Sequence, residues 1–154
     1  MSASEDRRSG GSSRSLAEEF LAASAALPTD RVIIVGSDQL KLLIALLRCG
    51  FAKVDCLSAI CGPHPPRGEA DIVIAPDVRS VTELHHVLHR FACTLRPRGV
   101  LLMHAADVDF HSERRIRQMF LNAGFAALER LPCHDGIGHL WCARNQPVAM
   151  ARAA

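Results

Sequence analysis

Short runs of β-branched and aliphatic residues alternate along this chain with longer amphipathic segments, and this alternation limits the fold more than any other feature. Residues 31–35, 71–75 and 99–103 are compact apolar runs of strand length. Stretches with helical periodicity lie between them. Strands that alternate with helices predict a parallel sheet with helices on both faces. We therefore expect an α/β fold.

Local signals give approximate bounds to these elements. Two Ser-x-x-Glu capping boxes, Ser15 with Glu18 and Ser80 with Glu83, mark helix starts. Pro97 is expected to stop the helix that follows Ser80, because proline cannot continue a helix. We expect helices over residues 16–27, 39–49, 81–95 and 113–123, and strands over residues 31–35, 52–57, 71–75, 99–103, 125–131 and 139–143.

The length of 154 residues fits one domain with tails. Residues 1–14 are polar and rich in Ser, Gly and Arg, which predicts a disordered tail. Residues 146–154 are mostly small and predict a flexible tail. The folded domain is therefore expected over residues 15–145.

The charge and the cysteines indicate a cellular setting. A net charge of +2 does not indicate a nucleic-acid partner, and the longest strongly apolar run, 42–47, is too short to cross a bilayer. The chain shows no signal peptide, so its six cysteines are expected to stay reduced as small buried side chains. We expect a cytoplasmic protein without a membrane partner.

Five short segments, in order, resemble a known family. They are VIIVG at 32–36, ADIVIA at 70–75, LRPRGVLL at 95–102, NAGF at 122–125 and HLWCAR at 139–144. Together they make the chain similar to the class I S-adenosylmethionine-dependent methyltransferases, though shortened. The resemblance implies a Rossmann-like, mostly parallel sheet of about six strands, with an antiparallel final strand.

The resemblance also implies a cofactor, S-adenosylmethionine, near Gly36, Ser37 and Asp55. The family's Gly-rich turn binds the methionine part of the cofactor, because glycine lets the backbone approach and a helix N-terminus attracts a carboxylate. Here only Gly36 of the three glycines is kept, and Asp38 adds a competing carboxylate. Ile34 stands where an acidic residue is expected. Asp55 is the candidate for the ribose hydroxyls, and an alignment shifted by one residue would place Cys56 there.

A strand of the family is missing from the sequence. About a dozen Pro-rich residues, 58–69, separate the second predicted strand from the third, which is too few for another strand and its helices. The strand over 52–57 would then lie at the edge of the sheet, where it could pair with another chain. A homo-oligomer formed through this edge is one expectation.

Candidate catalytic residues follow two predicted strands. Asp77 comes after 71–75, and His104 and Asp107 come after 99–103. Ligands of open parallel sheets bind beyond the carboxyl ends of the strands. His104 could act as a general base and Asp77 could orient a substrate amine or hydroxyl. All three could equally be ordinary loop residues.

Three clusters have the composition of metal sites but not the spacing. His85 and His89 share one side of a helix, without a glutamate between them to act as a base. The cluster of Cys56, Cys61 and His64 lacks a fourth ligand for zinc. Residues 133–135, Cys-His-Asp, lie in a predicted loop. No metal site is expected from any of them.

Two functions therefore remain open from the sequence. The first is methyl transfer from S-adenosylmethionine to a small-molecule or protein substrate. The second is a non-catalytic methyltransferase-like module that binds a protein partner or forms an oligomer.

Overall fold

Helices and strands alternate through the described part of the chain, which in this computed structural model covers residues 15–36, 39–105, 113–133 and 139–145. A short 3-10 turn, Ala92–Thr94, precedes the fourth strand. The elements, in order, are α1 (Leu16–Ser24), β1 (Val32–Val35), α2 (Leu40–Arg48), β2 (Val54–Leu57), β3 (Ala70–Ala75), α3 (Val81–Phe91), β4 (Leu95–Ala105), α4 (Glu113–Asn122), β5 (Phe125–Leu131) and β6 (His139–Asn145).

One sheet joins the six described strands in the order β2–β1–β3–β4–β6–β5. The first four of these strands are parallel, and β6 runs antiparallel to both β4 and β5. This confirms the predicted mostly parallel sheet with an antiparallel final strand. Within the described residues no strand lies between β2 and β3 in the chain, so β2 forms one edge of the sheet, as predicted.

The sheet has an apolar core on each face, because side chains alternate between the faces along every strand. On one face, α1 and α2 pack around Phe20, Ile34 and Leu46. On the other face, α3 and α4 pack around Phe91 and Trp141, among other residues. Each large side chain removed from water in this way contributes about 1.5–3 kcal/mol. In the described part of the chain, no helix combines the length and apolarity needed to cross a membrane.

Both predicted capping boxes have the expected serine bond. The Glu18 N–H donates to Ser15 Oγ, and the Ser15 N–H donates back to the Glu18 carboxylate at 2.9 Å. In α3 the Glu83 N–H donates to Ser80 Oγ at 3.0 Å, but the Glu83 carboxylate accepts from the N–H of Arg79 instead of Ser80. The second box is therefore only half formed.

The first helix is shorter than predicted. It ends at Ser24 instead of about residue 27, because Ala25 takes a left-handed conformation with φ 51°. A left-handed residue directly after a helix prevents the next turn from forming.

Pro97 does not stop a helix, in contrast to the prediction. The helix ends at Phe91, the 3-10 turn follows, and β4 already begins at Leu95, so Pro97 lies inside that strand. The register between β3 and β4 shifts at this level, between Ala70 and Ile72. A strand tolerates proline at such an irregularity because one ladder hydrogen bond is already lost there.

Candidate functional site

The carboxyl ends of the parallel strands meet at one edge of the sheet. Gly36 follows β1, residues 76 and 77 follow β3, and β4 ends at Ala105. The register places Val35 opposite Leu57 of β2, so these two strands end at the same level. In open α/β sheets this edge, which we call the carboxyl edge, is where ligands bind.

Gly36 makes the turn that leaves β1. Its φ is +115°, a conformation that side chains of L-residues rarely adopt, whereas a Cβ added there would meet nothing within 4 Å. Glycine is therefore required for backbone conformation and not for space. Ser37 and Asp38 lie outside the described residues, so their expected roles at the cofactor remain predictions.

Gln39 joins the ends of β1 and β2. Its side-chain Nε2 donates to the Leu57 carbonyl at 2.7 Å and to the Ile34 carbonyl at 3.2 Å. Both N–H bonds of the amide are used, and the side chain is half-buried. This amide therefore lies across the gap between the two strands, on the carboxyl edge. Sequence reasoning missed it, and its only signal is a polar residue at the start of an otherwise apolar helix.

Asp55 lies away from this edge. It pairs in register with Ile33 in the middle of the strands, and its carboxylate forms an ion pair with Arg31 at 3.2 Å. Arg31 also forms an ion pair with Glu69. The hydrogen bond between Arg31 and Asp55 is the main cause of the raised pKa of the Arg31 guanidinium. The structure thus does not bring Asp55 together with Gly36. The ribose role remains a prediction, and the geometry gives it no support.

Cys56, the alternative to Asp55, is next along the strand. Val54 packs on the α2 face of the sheet, and alternation places Cys56 on that face too. The thiol is exposed, yet partial burial, followed by the charge of Asp55, raises its pKa. Cys56 is therefore mainly protonated at neutral pH and unsuited to act as a nucleophile.

Asp77 lines a pocket at the carboxyl edge. The pocket has a volume of about 330 Å³ and is mostly apolar, with walls from Asp77, Pro76, the start of α1, and Lys41 and Ala45 of α2. The Asp77 carboxylate forms an ion pair with Arg79 at 2.6 Å and lies about three quarters buried, with 24% of its side chain exposed. Its role in orienting a substrate amine or hydroxyl stays a prediction.

His104 lies beside this pocket without lining it. Its ring is buried, and Nδ1 lies 3.3 Å from the Pro76 carbonyl oxygen. Its own carbonyl accepts from the N–H of Val78. These contacts fasten the turn after β3 to β4, and the role of His104 as a general base stays a prediction. Asp107 lies outside the described residues.

The candidate metal clusters can be followed only in part. His85 and His89 are exposed and stack on each other with ring centroids 6.2 Å apart. Within the described ranges, no group of three or more His, Cys, Asp or Glu side chains is arranged to hold a metal ion. Cys133 donates to a Glu19 carboxylate oxygen at 3.3 Å, whereas residues 134 and 135 fall outside those ranges.

Known structures share this architecture. A geranyl diphosphate methyltransferase in complex with SAM matches with a TM-score of 0.66 and 12% identity, over 85% of this chain and 84% of that chain. Further matches include several methyltransferases that act on other substrates. The chain has the class I methyltransferase fold. No protein-family model and no curated protein matches its sequence.

Other matches separate this fold from any one activity. The [4+2]-cyclase SpnF matches with a TM-score of 0.63 and 12% identity, over 85% of this chain and 80% of that chain. A possible exported protein from Bordetella parapertussis matches with a TM-score of 0.57 and 13% identity, over 82% of this chain. This chain spans 65% of the length of that protein. At such identities the likeness establishes the fold and not the chemistry.

The described residues do not fit S-adenosylmethionine in the way that the resemblance implies. The Gly36 turn fits, because its backbone is open and left-handed. However, Asp55 is bound to Arg31 in mid-strand. Ile34 is fully buried where an acidic residue is expected. One of these features fits the cofactor and two do not.

Proposed function

We propose that this protein is a non-catalytic module with the methyltransferase fold, whose function is to bind another protein chain. The observation that carries the proposal is the amide of Gln39, which satisfies the carbonyls of Ile34 and Leu57 at the carboxyl edge. A ligand that bound between these strands would have to displace both hydrogen bonds. Each such hydrogen bond contributes about 0.5–1.5 kcal/mol to the folded state.

The shortened sheet supports the same proposal. Loss of a strand beyond β2 removes part of the wall that a nucleoside would need, and it exposes apolar surface in its place. Leu40, Ile44 and Leu47 of α2 are 40–64% exposed. Apolar patches of this kind mark interaction surfaces when they are contiguous. The shortening therefore removes ligand contacts and adds surface for a partner.

A second candidate function is methyl transfer from S-adenosylmethionine to a small-molecule or protein substrate. The pocket beside Asp77 favours it, because an apolar cavity with a few polar groups at the carboxyl edge is typical of ligand sites. Under this alternative, Gly36, Ser37 and Asp55 would lie near the cofactor. Asp77 would orient the substrate, and His104 would act as a base through Nε2, because an Nδ1–H that donates to the Pro76 carbonyl leaves Nε2 to accept a proton.

We also propose a cytoplasmic location. All six cysteines are free thiols, and Cys49, Cys56, Cys61 and Cys93 are exposed. Exposed thiols persist in a reducing compartment and are oxidised in a secretory one.

Calorimetric titration with S-adenosylhomocysteine separates the two candidate functions. The wild-type protein, shown to be folded by circular dichroism, is expected to give no binding heat at millimolar ligand. Gly36→Val tests the turn, since a branched side chain cannot adopt φ +115° without strain, and Gly68→Val, at φ +64° in the loop after β2, is its control. Micromolar binding that Gly36→Val abolishes and Gly68→Val keeps would overturn the non-catalytic proposal in favour of methyl transfer.

A further inference from the structure

Within the described residues, β2 pairs with β1 alone and has an unpaired outer edge, and α2, which packs against β2, exposes apolar side chains. We propose that a second copy of this chain binds here, with the two β2 strands antiparallel about a two-fold axis at Val54. This inference rests on the proposed function, because it names the partner of the interaction module.

The backbone of β2 offers hydrogen bonds at its outer edge. The carbonyls of Lys53 and Leu57 accept from β1, so alternation directs the N–H and C=O groups of Val54 and Cys56 away from β1. In an antiparallel pair, two facing residues exchange both of these bonds. A two-fold axis at Val54 would pair Val54 with its copy and Cys56 with Ala52 of the other copy.

Charge selects this register among the possible ones. With the axis at Val54, Lys53 of each copy lies directly opposite Asp55 of the other, which makes two opposite-charge pairs. With the axis at Asp55, two carboxylates would face each other, which is destabilising. With the axis at Cys56, Asp55 would face Leu57. Charges on an edge strand usually oppose pairing, but here they permit one register and disfavour the others.

The apolar face of α2 lies beside this edge. Leu40, Ile44 and Leu47, which we call the α2 stripe, recur at intervals of four and three residues and so share one side of the helix. Lys41 and Ala45 line the pocket with α1, so the stripe faces outward and away from α1. In the proposed dimer the two stripes would approach each other on the same face of the joined sheet.

The loop after β2 leaves the edge uncovered. Its carbonyls at Gly62 and Pro63 accept hydrogen bonds from Arg90 of α3 at 2.9 and 2.7 Å. Gly68 then bonds to the Cys93 carbonyl. The loop is thus held on the α3 face, and Asp55 and Cys56 stay exposed. A second copy could reach β2 without any rearrangement of this loop.

Oligomeric state tests the surface with a matched pair of variants. Analytical ultracentrifugation of the wild-type protein is expected to give a dimer with a dissociation constant in the micromolar range, since a four-residue strand and one helix stripe make a small interface. Leu47→Gln should weaken the dimer at least tenfold. Leu121→Gln makes the same change at an exposed leucine of α4 on the other face and should leave the dimer unchanged.

Cross-linking tests the register. Ala52→Cys places a thiol opposite Cys56 of the other copy. Mild oxidation at alkaline pH should then give a covalent dimer, in which mass spectrometry identifies a disulfide between the peptide with the introduced thiol and the peptide that contains Cys56. A Cys56–Cys56 link in the wild-type protein would overturn the register.

The dimer and the proposed function fail in different ways. A wild-type monomer at 1 mM, roughly a thousandfold above a micromolar dissociation constant, would overturn the dimer. A monomer that does not bind S-adenosylhomocysteine would leave the non-catalytic function standing, whereas binding of that ligand would remove it whatever the oligomeric state.

Discussion

The two lateral sides of the sheet differ in the length and burial of their strands. On one side, β4 has 11 residues and β6 has 7, and most of their side chains are buried. On the other side, β2 has four residues, all of them half-buried or exposed. The fold therefore keeps the long, buried strands that form most of the core. The reduced part is the one where the resemblance to the methyltransferases places the nucleoside.

The largest expected effect is on the free energy of unfolding, when the same Leu→Ala substitution is made on each side of the sheet. Leu102→Ala, at a fully buried position in β4, should lower the free energy of unfolding by about 2–5 kcal/mol, because it leaves a cavity. Leu57→Ala, at a half-buried position in β2, should cost about 1–2 kcal/mol, since less apolar surface returns to water there. Urea unfolding at one protein concentration measures both values, and equal losses would contradict the comparison.

A smaller effect is expected at the carboxyl edge. Gln39→Ala removes both hydrogen bonds that join the ends of β1 and β2 and should cost about 1–3 kcal/mol. Gln118→Ala is the matched control, because that exposed glutamine bonds only to Asn122 among the described residues and should change stability by less than about 0.5 kcal/mol. If the two variants unfold at the same urea concentration, Gln39 does not hold the strands together.

The smallest expected effect is a change of stability with pH, and it arises on the side of the sheet formed by β4 and β6. Partial burial, and then the guanidinium of Arg130 at 2.8 Å from Nδ1, lower the pKa of His139 below its ordinary 6.5. The unfolded chain therefore takes up a proton first as the pH falls. Stability is kept above pH 6.5 and is lost as the pH falls from 6.5 through the folded pKa.

This pH effect is measured as the change in melting temperature between about pH 7.5 and about pH 5.5, on either side of the ordinary histidine pKa. His139→Gln should show a smaller decrease than the wild-type protein, because it has no imidazole to protonate. His86→Gln, on the exposed side of α3, is the control for loss of an imidazole elsewhere. A decrease in His139→Gln as large as in the wild-type protein would assign the pH dependence to other groups.

The sequence predicted the sheet well, because its signals are local. Apolar runs, capping serines and the short Pro-rich link indicated the strands and the missing strand without tertiary information. The predicted ends of the elements were less accurate where a left-handed residue or a strand irregularity sets the end, as after Ser24 and at Pro97.

The site was predicted less well, because its contacts depend on register. The strand predicted over 52–57 begins at Val54, and its pairing with β1 puts Asp55 in mid-strand beside Arg31. Gln39 bonds to one residue 5 positions earlier and to another 18 positions later in the chain, which no local pattern reveals. The α2 stripe is exposed because no described helix covers that side of α2.

The position of β6 has a consequence for synthesis of the chain. β6 is the last described strand, yet it lies between β4 and β5, and within the described residues β5 pairs with no other strand. When the chain has emerged from the ribosome only through Leu131, the position between β4 and β5 in the sheet is therefore still empty. At about 5–20 residues per second, that opening lasts roughly a second or more. During this interval the exposed strand edges are open to chaperones and to neighbouring nascent chains, so co-translational folding cannot be completed before residues 139–145 emerge.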